Sequence, residues 1–297
     1  MAAPFVCVYA SQLAACIGAH RHKKPHEALE AMWQRIDPAG FRAAMARNGV
    51  ISAEEAARAA IEANTHVRDL VDAASEARDT SVEVARHYEV ASRSLASLVE
   101  GEELEAIGDI LRQAAYTAYG TARESRVLQR VRDLGVACHE DPAFHKKAEG
   151  TLALPHGDCP WYIGGRVDAV SDDRTLVIEI KNRVNRLFCR VPEYERVQVQ
   201  AYMHLLDIDR AMLVECLTTP PAEPDRDPGM HLHVTHIPRD REYWDAEVAP
   251  RLRTFVEFLA RVLHDTALQD KYMRSARKSA MIRAAYPGAS RRGSSRA

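Results

Sequence analysis

Residues 164–182 read GGRVDAVSDDRTLVIEIKN and, after a basic stretch, residues 193–203 read EYERVQVQAYM. Residues 161–170 are rich in aromatic and β-branched side chains, and residues 175–181 run Thr-Leu-Val-Ile-Glu-Ile-Lys, so each segment predicts a short strand. The polar Ser171-Asp172-Asp173-Arg174 between them predicts a turn. With Asp173-Arg174 as a two-residue hairpin loop, Asp168 falls opposite Glu179 and Arg166 opposite Lys181. All four then share one face, because strand side chains alternate with period two. Val167, Ala169, Leu176, Ile178 and Ile180 occupy the other face, and burying them fixes the register.

Opposed strand residues have Cβ atoms roughly 5 Å apart. Two carboxylates that close repel each other. A raised pKa on one acid relieves this, and so does a divalent cation. Carboxylate oxygens, a backbone carbonyl and waters make a hard ligand set that suits Mg²⁺. Lys181, on the same face, can hold a water or stabilise charge on a phosphorus centre. Two acids, a lysine and a cation together suit phosphodiester hydrolysis by metal-activated water.

Asp168…Glu179-Ile180-Lys181 resembles the D…(D/E)-x-K core of the PD-(D/E)XK nuclease superfamily, and Gly165-Arg166-Val167-Asp168 resembles its G-x-x-D segment. Tyr194…Gln198-Val199-Gln200-Ala201-Tyr202 resembles the glutamine–tyrosine helix of the branch that includes YqaJ-type viral recombinases and phage lambda exonuclease. Gly120-Thr-Ala-Arg-Glu124 is similar to the G-x-x-x-E helix of the same branch. The resemblance implies a mixed α/β, restriction-endonuclease-like core with a central mixed sheet. It also implies Mg²⁺-dependent digestion of double-stranded DNA from ends, with Mn²⁺ able to substitute. Asp168 and Glu179 would bind the metal with the Ile180 carbonyl, and Glu124 would assist through a second metal or a water. Lys181 would position the attacking water and Gln198 would orient a water or phosphate. Ser11, Arg21, Lys24, Arg183, Arg186 and Tyr202 are candidate DNA contacts. A single-strand annealing protein and a homo-oligomer are the further partners implied. The rival readings are a RecB-like or structure-specific endonuclease and a catalytically silent DNA-binding scaffold.

A formal net charge of −2 excludes a wholesale basic coat, so DNA affinity must come from local patches. The six cysteines are scattered without a C-x-x-C pair, which reads as free thiols in a reducing compartment with no iron–sulfur cluster. No apolar run reaches the length of a membrane span and the start lacks a basic leader, so an intracellular location is expected, in host cytoplasm or nucleus if viral.

Three regions follow. Residues 1–100 read as a helical N-terminal region: Ser11 caps a short helix that Gly18 stops, Ser52-Ala-Glu-Glu55 forms a capping box, and Thr80 or Ser81 opens another helix. Residues 101–268 read as the nuclease core, with Gly120 marking close packing or a break, Gln200 pointing away from the site, and an amphipathic helix at 240–264. Residues 269–297 hold Lys271, Arg274, Arg277, Lys278, Arg283, Arg291, Arg292 and Arg296, and read as a basic, disordered tail. Cys16, His20, His22 and His26 are only loosely metal-like in spacing, and His231 and His233 read as an exposed strand face.

Overall fold

The computed structural model describes residues 5–50, 53–76, 80–154, 157–219 and 229–287. Its strands are β1 (Val6–Tyr9), β2 (Cys138–Glu140), β3 (His145–Leu154), β4 (Gly157–Gly165), β5 (Ala169–Ser171), β6 (Val177–Arg183), β7 (Arg210–Thr219) and β8 (Gly229–Pro238). The first helices are α1 (Ala10–Cys16), α2 (Pro25–Ile36), α3 (Pro38–Asn48), α4 (Ala53–Ala63), α5 (Thr65–Ala74), α6 (Ser81–Ala96), α7 (Gly101–Thr121) and α8 (Glu124–Asp133). Then come α9 (Glu193–Leu206), α10 (Arg241–Tyr243), α11 (Ala249–His264), α12 (Thr266–Met273) and α13 (Lys278–Arg283), with a π-helical turn at Trp244–Val248 joining α10 to α11.

The fold is mixed α/β, as expected, but with two mixed sheets rather than one: β1-β4-β3 and β2-β5-β6-β7-β8. In the larger sheet β6 runs parallel to β7, and the other pairs are antiparallel. Helices cover both of its faces. Val170, Val177, Ala211 and Leu213 pack in one core with α9 and α11, while Ala169, Ile178, Ile180, Met212 and Val214 pack in another with α8. Double-sided burial explains why β6 and β7 read as nearly continuous apolar runs. It also isolates Glu179, an acid set in such a run.

The hairpin keeps the expected register, with Ala169 opposite Ile178 and Val170 opposite Val177. The loop, however, spans four residues. Ser171 N–H donates to Leu176 O at 2.9 Å, Asp173 Oδ1 accepts from Ser171 Oγ and the Thr175 amide, and Arg174 takes a left-handed φ of 55°. Asp173 therefore caps the turn with its own side chain, and adding one residue on each side of the loop leaves the pairing unchanged.

The segment expected as one strand over 161–170 is shared between the sheets. It leaves β4 at Gly165 and enters β5 at Ala169. Two glycines make the crossing. A Cβ on Gly164 would lie 2.7 Å from the Phe144 ring, and one on Gly165 would lie 2.8 Å from Tyr202 and 3.2 Å from Ala10. Arg166 consequently sits exposed in the crossing rather than paired opposite Lys181, and Val167 joins the α9 core. Gly165→Ala is expected to cost roughly 1–3 kcal/mol by overpacking against the buried Tyr202 ring, read as a lowered Tm.

The N-terminal boundary also shifts. β1 pairs parallel with β4, from Val6↔Trp161 to Tyr9↔Gly164, and α1 to α3 contribute Leu13, Leu29, Trp33 and Phe41 to the main core. The helical subdomain is α4 to α7, which buries Ala57, Val67, Leu95 and Ile107 in one cluster and Val84, Leu111 and Tyr119 in another. Thr80 and Glu83 form the capping box of α6. Tyr9, not Ser11, is the N-cap of α1, and Gly18 follows its end with φ 76°. Ser52 of the other expected capping box lies outside the described residues.

The basic C-terminal stretch is not a free tail over its described part. Tyr272, Met273, Ile282 and Tyr286 are buried in the main core, and Lys278 pairs with Glu30 at 2.7 Å. The charges mask this apolar spacing in the sequence. Residues 288–297 lie outside the described residues.

Candidate active site

Four side chains from two elements meet at Glu179. On β6, residues 177, 179 and 181 face α9, which brings Glu179 and Lys181 to the side where Gln198 and Tyr202 lie one helical turn apart. Lys181 Nζ donates to Glu179 Oε1 at 2.5 Å and to Gln198 Oε1 at 3.1 Å. Gln198 Nε2 donates to the same Glu179 oxygen at 2.9 Å and to the Tyr202 hydroxyl at 3.1 Å. Asp168, at the end of the inter-sheet crossing, accepts the Ile180 amide on Oδ2 at 2.6 Å. The second oxygen of Glu179, Oε2, is buried and accepts no hydrogen bond among the described residues.

Burial sets the electrostatics. It pushes the Asp168 carboxyl up to about 6, against the opposing effect of the Ile180 amide and the Lys181 charge. Burial, followed by the negative charge of Asp168, pushes Glu179 up to about 8. For Lys181, burial works to lower the pKa, but the carboxylates of Glu179, Asp168 and Glu195 outweigh it, and the net shift is upward. Glu124, the first residue of α8, is raised by burial and then by the charges of Glu179 and Glu140. It therefore belongs to the same electrostatic cluster, although no hydrogen bond joins it to Asp168, Glu179, Lys181, Gln198 or Tyr202. α7 stops at Thr121, so Gly120 marks a break; a Cβ there would meet nothing within 4 Å. Its carbonyl accepts from Asn182 Nδ2 at 2.9 Å, which ties the end of α7 to β6.

Because Asp168 and Glu179 hold protons in the folded chain that exposed carboxylates would release, stability falls as pH rises from the ordinary carboxylate range through about 6 to about 8. In EDTA, Tm is expected to fall between roughly pH 5 and pH 9, with Glu179→Gln flattening the fall. A Tm that climbs across this range contradicts the assignment.

Among the described residues, no group of three or more His, Cys, Asp or Glu side chains could hold a metal ion. The donor set is therefore sparse: two adjacent carboxylates, one with an orphaned buried oxygen. That fits Mg²⁺, which binds through one or two carboxylates and keeps several waters. It does not fit a closed structural cage. All six cysteines are free thiols, and only Cys189 is exposed.

Two of the candidate DNA contacts are elsewhere occupied. Arg183 is only 11% exposed, bidentate to Glu195 at 2.7 and 2.8 Å and bonded to Glu215 Oε1 at 2.7 Å, so its guanidinium is already taken up by protein carboxylates. Tyr202 is buried against Gly165 and positions Gln198. Arg21 and Arg186 do converge: with His22, Arg190, Phe188 and Tyr194 they line a cleft of about 640 Å³. Ser11 and Lys24 are exposed but do not line it. Gln200 is buried away from the site, where it joins Pro238 O to the Asp240 amide.

Three further residues escaped the sequence reading. Glu140 acts on Glu124 from the short strand β2. Glu195 and Glu215 are almost fully buried, at 2% and 1% exposure, and neutralise Arg183. Glu215 was legible only as an acid in an otherwise apolar strand, and Glu195 only as an i−3 neighbour of Gln198.

No protein-family model matches the chain, and no curated protein matches it. Its structure neighbours include a phage-related exonuclease from Haemophilus somnus 129PT, at 16% identity over 90% of this chain and 97% of that one with a TM-score of 0.42, and an alkaline exonuclease from Laribacter hongkongensis, at 19% identity over 61% of this chain and 91% of that one with a TM-score of 0.35.

Proposed function

We propose that this chain is a Mg²⁺-dependent deoxyribonuclease that hydrolyses phosphodiester bonds of double-stranded DNA from its ends. The observation that carries the reading is the convergence of Lys181 and Gln198 on one oxygen of a buried glutamate beside Asp168. Two desolvated carboxylates with raised pKa values next to a charged lysine are costly for stability alone and suited to catalysis.

Asp168, Glu179 and the Ile180 carbonyl would hold the metal, and Glu124, in the same electrostatic cluster, would assist through a second metal or a water. When bound, Mg²⁺ would polarise a phosphoryl oxygen and make a water more acidic. Lys181 stays protonated in the field of three carboxylates, and its ammonium orients the attacking water and offsets charge developing on the phosphate. Gln198, held by Tyr202 and Glu179, fixes the lysine and presents its amide to the same point. The Arg21–Arg186–Arg190 cleft supplies phosphate contacts.

Linear duplex DNA incubated with the protein and Mg²⁺ is expected to yield acid-soluble nucleotides while a covalently closed circle stays intact. Nicking of the circle at a comparable rate would reassign the activity to an endonuclease.

A further inference from the structure

The three-stranded sheet buries one face and leaves the other open. Val6, Val8, Trp161 and Ile163 point into the main core. The open face would normally carry polar residues, yet it carries aromatic rings. Phe5 is 50% exposed, Phe144 47% and Tyr9 36%. They form two edge-to-face pairs, Phe5–Tyr162 with centroids 5.9 Å apart and Tyr9–Phe144 at 5.8 Å. Edge-to-face pairing leaves ring faces available to a third group.

Cations accompany the rings. Lys146 Nζ lies 4.7 Å from the Tyr162 ring centroid and 5.3 Å from that of Phe5, and the Arg35 guanidinium lies 4.2 Å from that of Tyr9. No carboxylate among the described residues lies within ion-pairing distance of Lys146. Phe5, Cys7, Tyr9, Phe144 and Lys146 bound a shallow depression of about 520 Å³.

The surface also runs toward the candidate active site. Tyr9 pairs with Gly164 and His145 with Gly165, just before the crossing that ends at Asp168. The Phe144 ring lies over Gly164, where a Cβ would approach it to 2.7 Å.

We infer that this face binds single-stranded nucleic acid, with unpaired bases stacking on Phe5, Tyr9 and Phe144 and phosphates meeting Lys146 and Arg35. Exposed rings interleaved with cations suit a strand whose bases are unpaired, since every base has a stackable face and the backbone is anionic. A duplex hides those faces, and an apolar protein partner would not use the cations. Only the origin of the strand, the one left when its complement is degraded, rests on the nuclease reading.

The test is fluorescence anisotropy of a labelled oligothymidylate and a duplex of equal length with the full chain in EDTA, where no turnover occurs. Phe144→Ala is expected to weaken oligothymidylate binding about tenfold and Phe5→Ala/Phe144→Ala about a hundredfold, with duplex binding little changed. Lys146→Glu should weaken it as well without removing a ring. Unchanged single-strand affinity in all three variants, with Tm preserved, overturns the inference. So does a self-associating protein that the double variant makes monomeric while oligonucleotide binding persists. A wild-type protein that binds the single strand but hydrolyses no DNA would sink the nuclease reading and leave this surface standing.

Discussion

Lys181→Ala is expected to lower the rate of DNA hydrolysis by roughly 10²–10³-fold or more, while the chain stays folded. The size follows from position. Lys181 supplies the positive charge that contacts Glu179, and it is bonded to Gln198 as well. Its removal frees the Gln198 carbonyl oxygen and strips the ammonium that offsets charge developing on the phosphate. Folding tolerates the loss because Glu179, already pushed up to about 8, takes a proton near neutrality instead of remaining an unpaired buried charge. Initial rates of acid-soluble product, with circular dichroism and Tm as controls for folding, check this. Activity within a few-fold of wild type would remove Lys181 from the chemistry.

Arg183→Ala should produce the largest loss of stability. Its guanidinium, 11% exposed, is shared by Glu195 and Glu215, and both carboxylates are buried. Glu215 also accepts the amides of Phe188 and Cys189, and the Arg183 guanidinium stacks on the Phe188 ring at 4.0 Å. Removing the arginine leaves two buried carboxylates uncompensated, a change that costs about 3–5 kcal/mol. In a chain of this size that is a fall in Tm of roughly 5–15 °C. Adding Glu195→Gln should recover part of the loss, since a neutral amide needs no counter-charge. If the double variant is no more stable than Arg183→Ala, the cost lies in packing and not in the orphaned charge. The same network orders residues 186–190, so DNA affinity at the cleft should fall together with stability.

The contrast between these two residues explains what the sequence could disclose. Lys181 was legible because strand periodicity, a turn signal and an acid two residues earlier place it beside Glu179 whatever the rest of the chain does. Arg183, two positions on, has the same parity and reads equally well as a phosphate contact. Its fate depends on Glu215 in a neighbouring parallel strand and Glu195 on a following helix, and no local pattern reports such long-range pairing. Tyr202 followed the same course: its spacing from Gln198 was clear, but its burial is set by Gly165 in another sheet. The hairpin register survived a wrong loop length because burial of Ala169, Ile178 and Ile180 fixes it independently of the turn. The partition into two sheets was hidden because Gly164-Gly165 gives no sign of which partner each strand will find. β1 was missed because four residues that pair only with a strand more than a hundred positions away carry no local signature.

Asp168 and Glu179 are proposed to hold a catalytic cation beside Lys181. The most direct measurement is hydrolysis of linear duplex DNA across a Mg²⁺ titration from an EDTA-treated start, for wild type, Asp168→Asn and Glu179→Gln. No hydrolysis is expected in EDTA, with recovery on added Mg²⁺ or Mn²⁺ in wild type alone, and both variants are expected to stay folded but inactive. Hydrolysis that persists in EDTA, or that either variant retains at the wild-type rate, would contradict it.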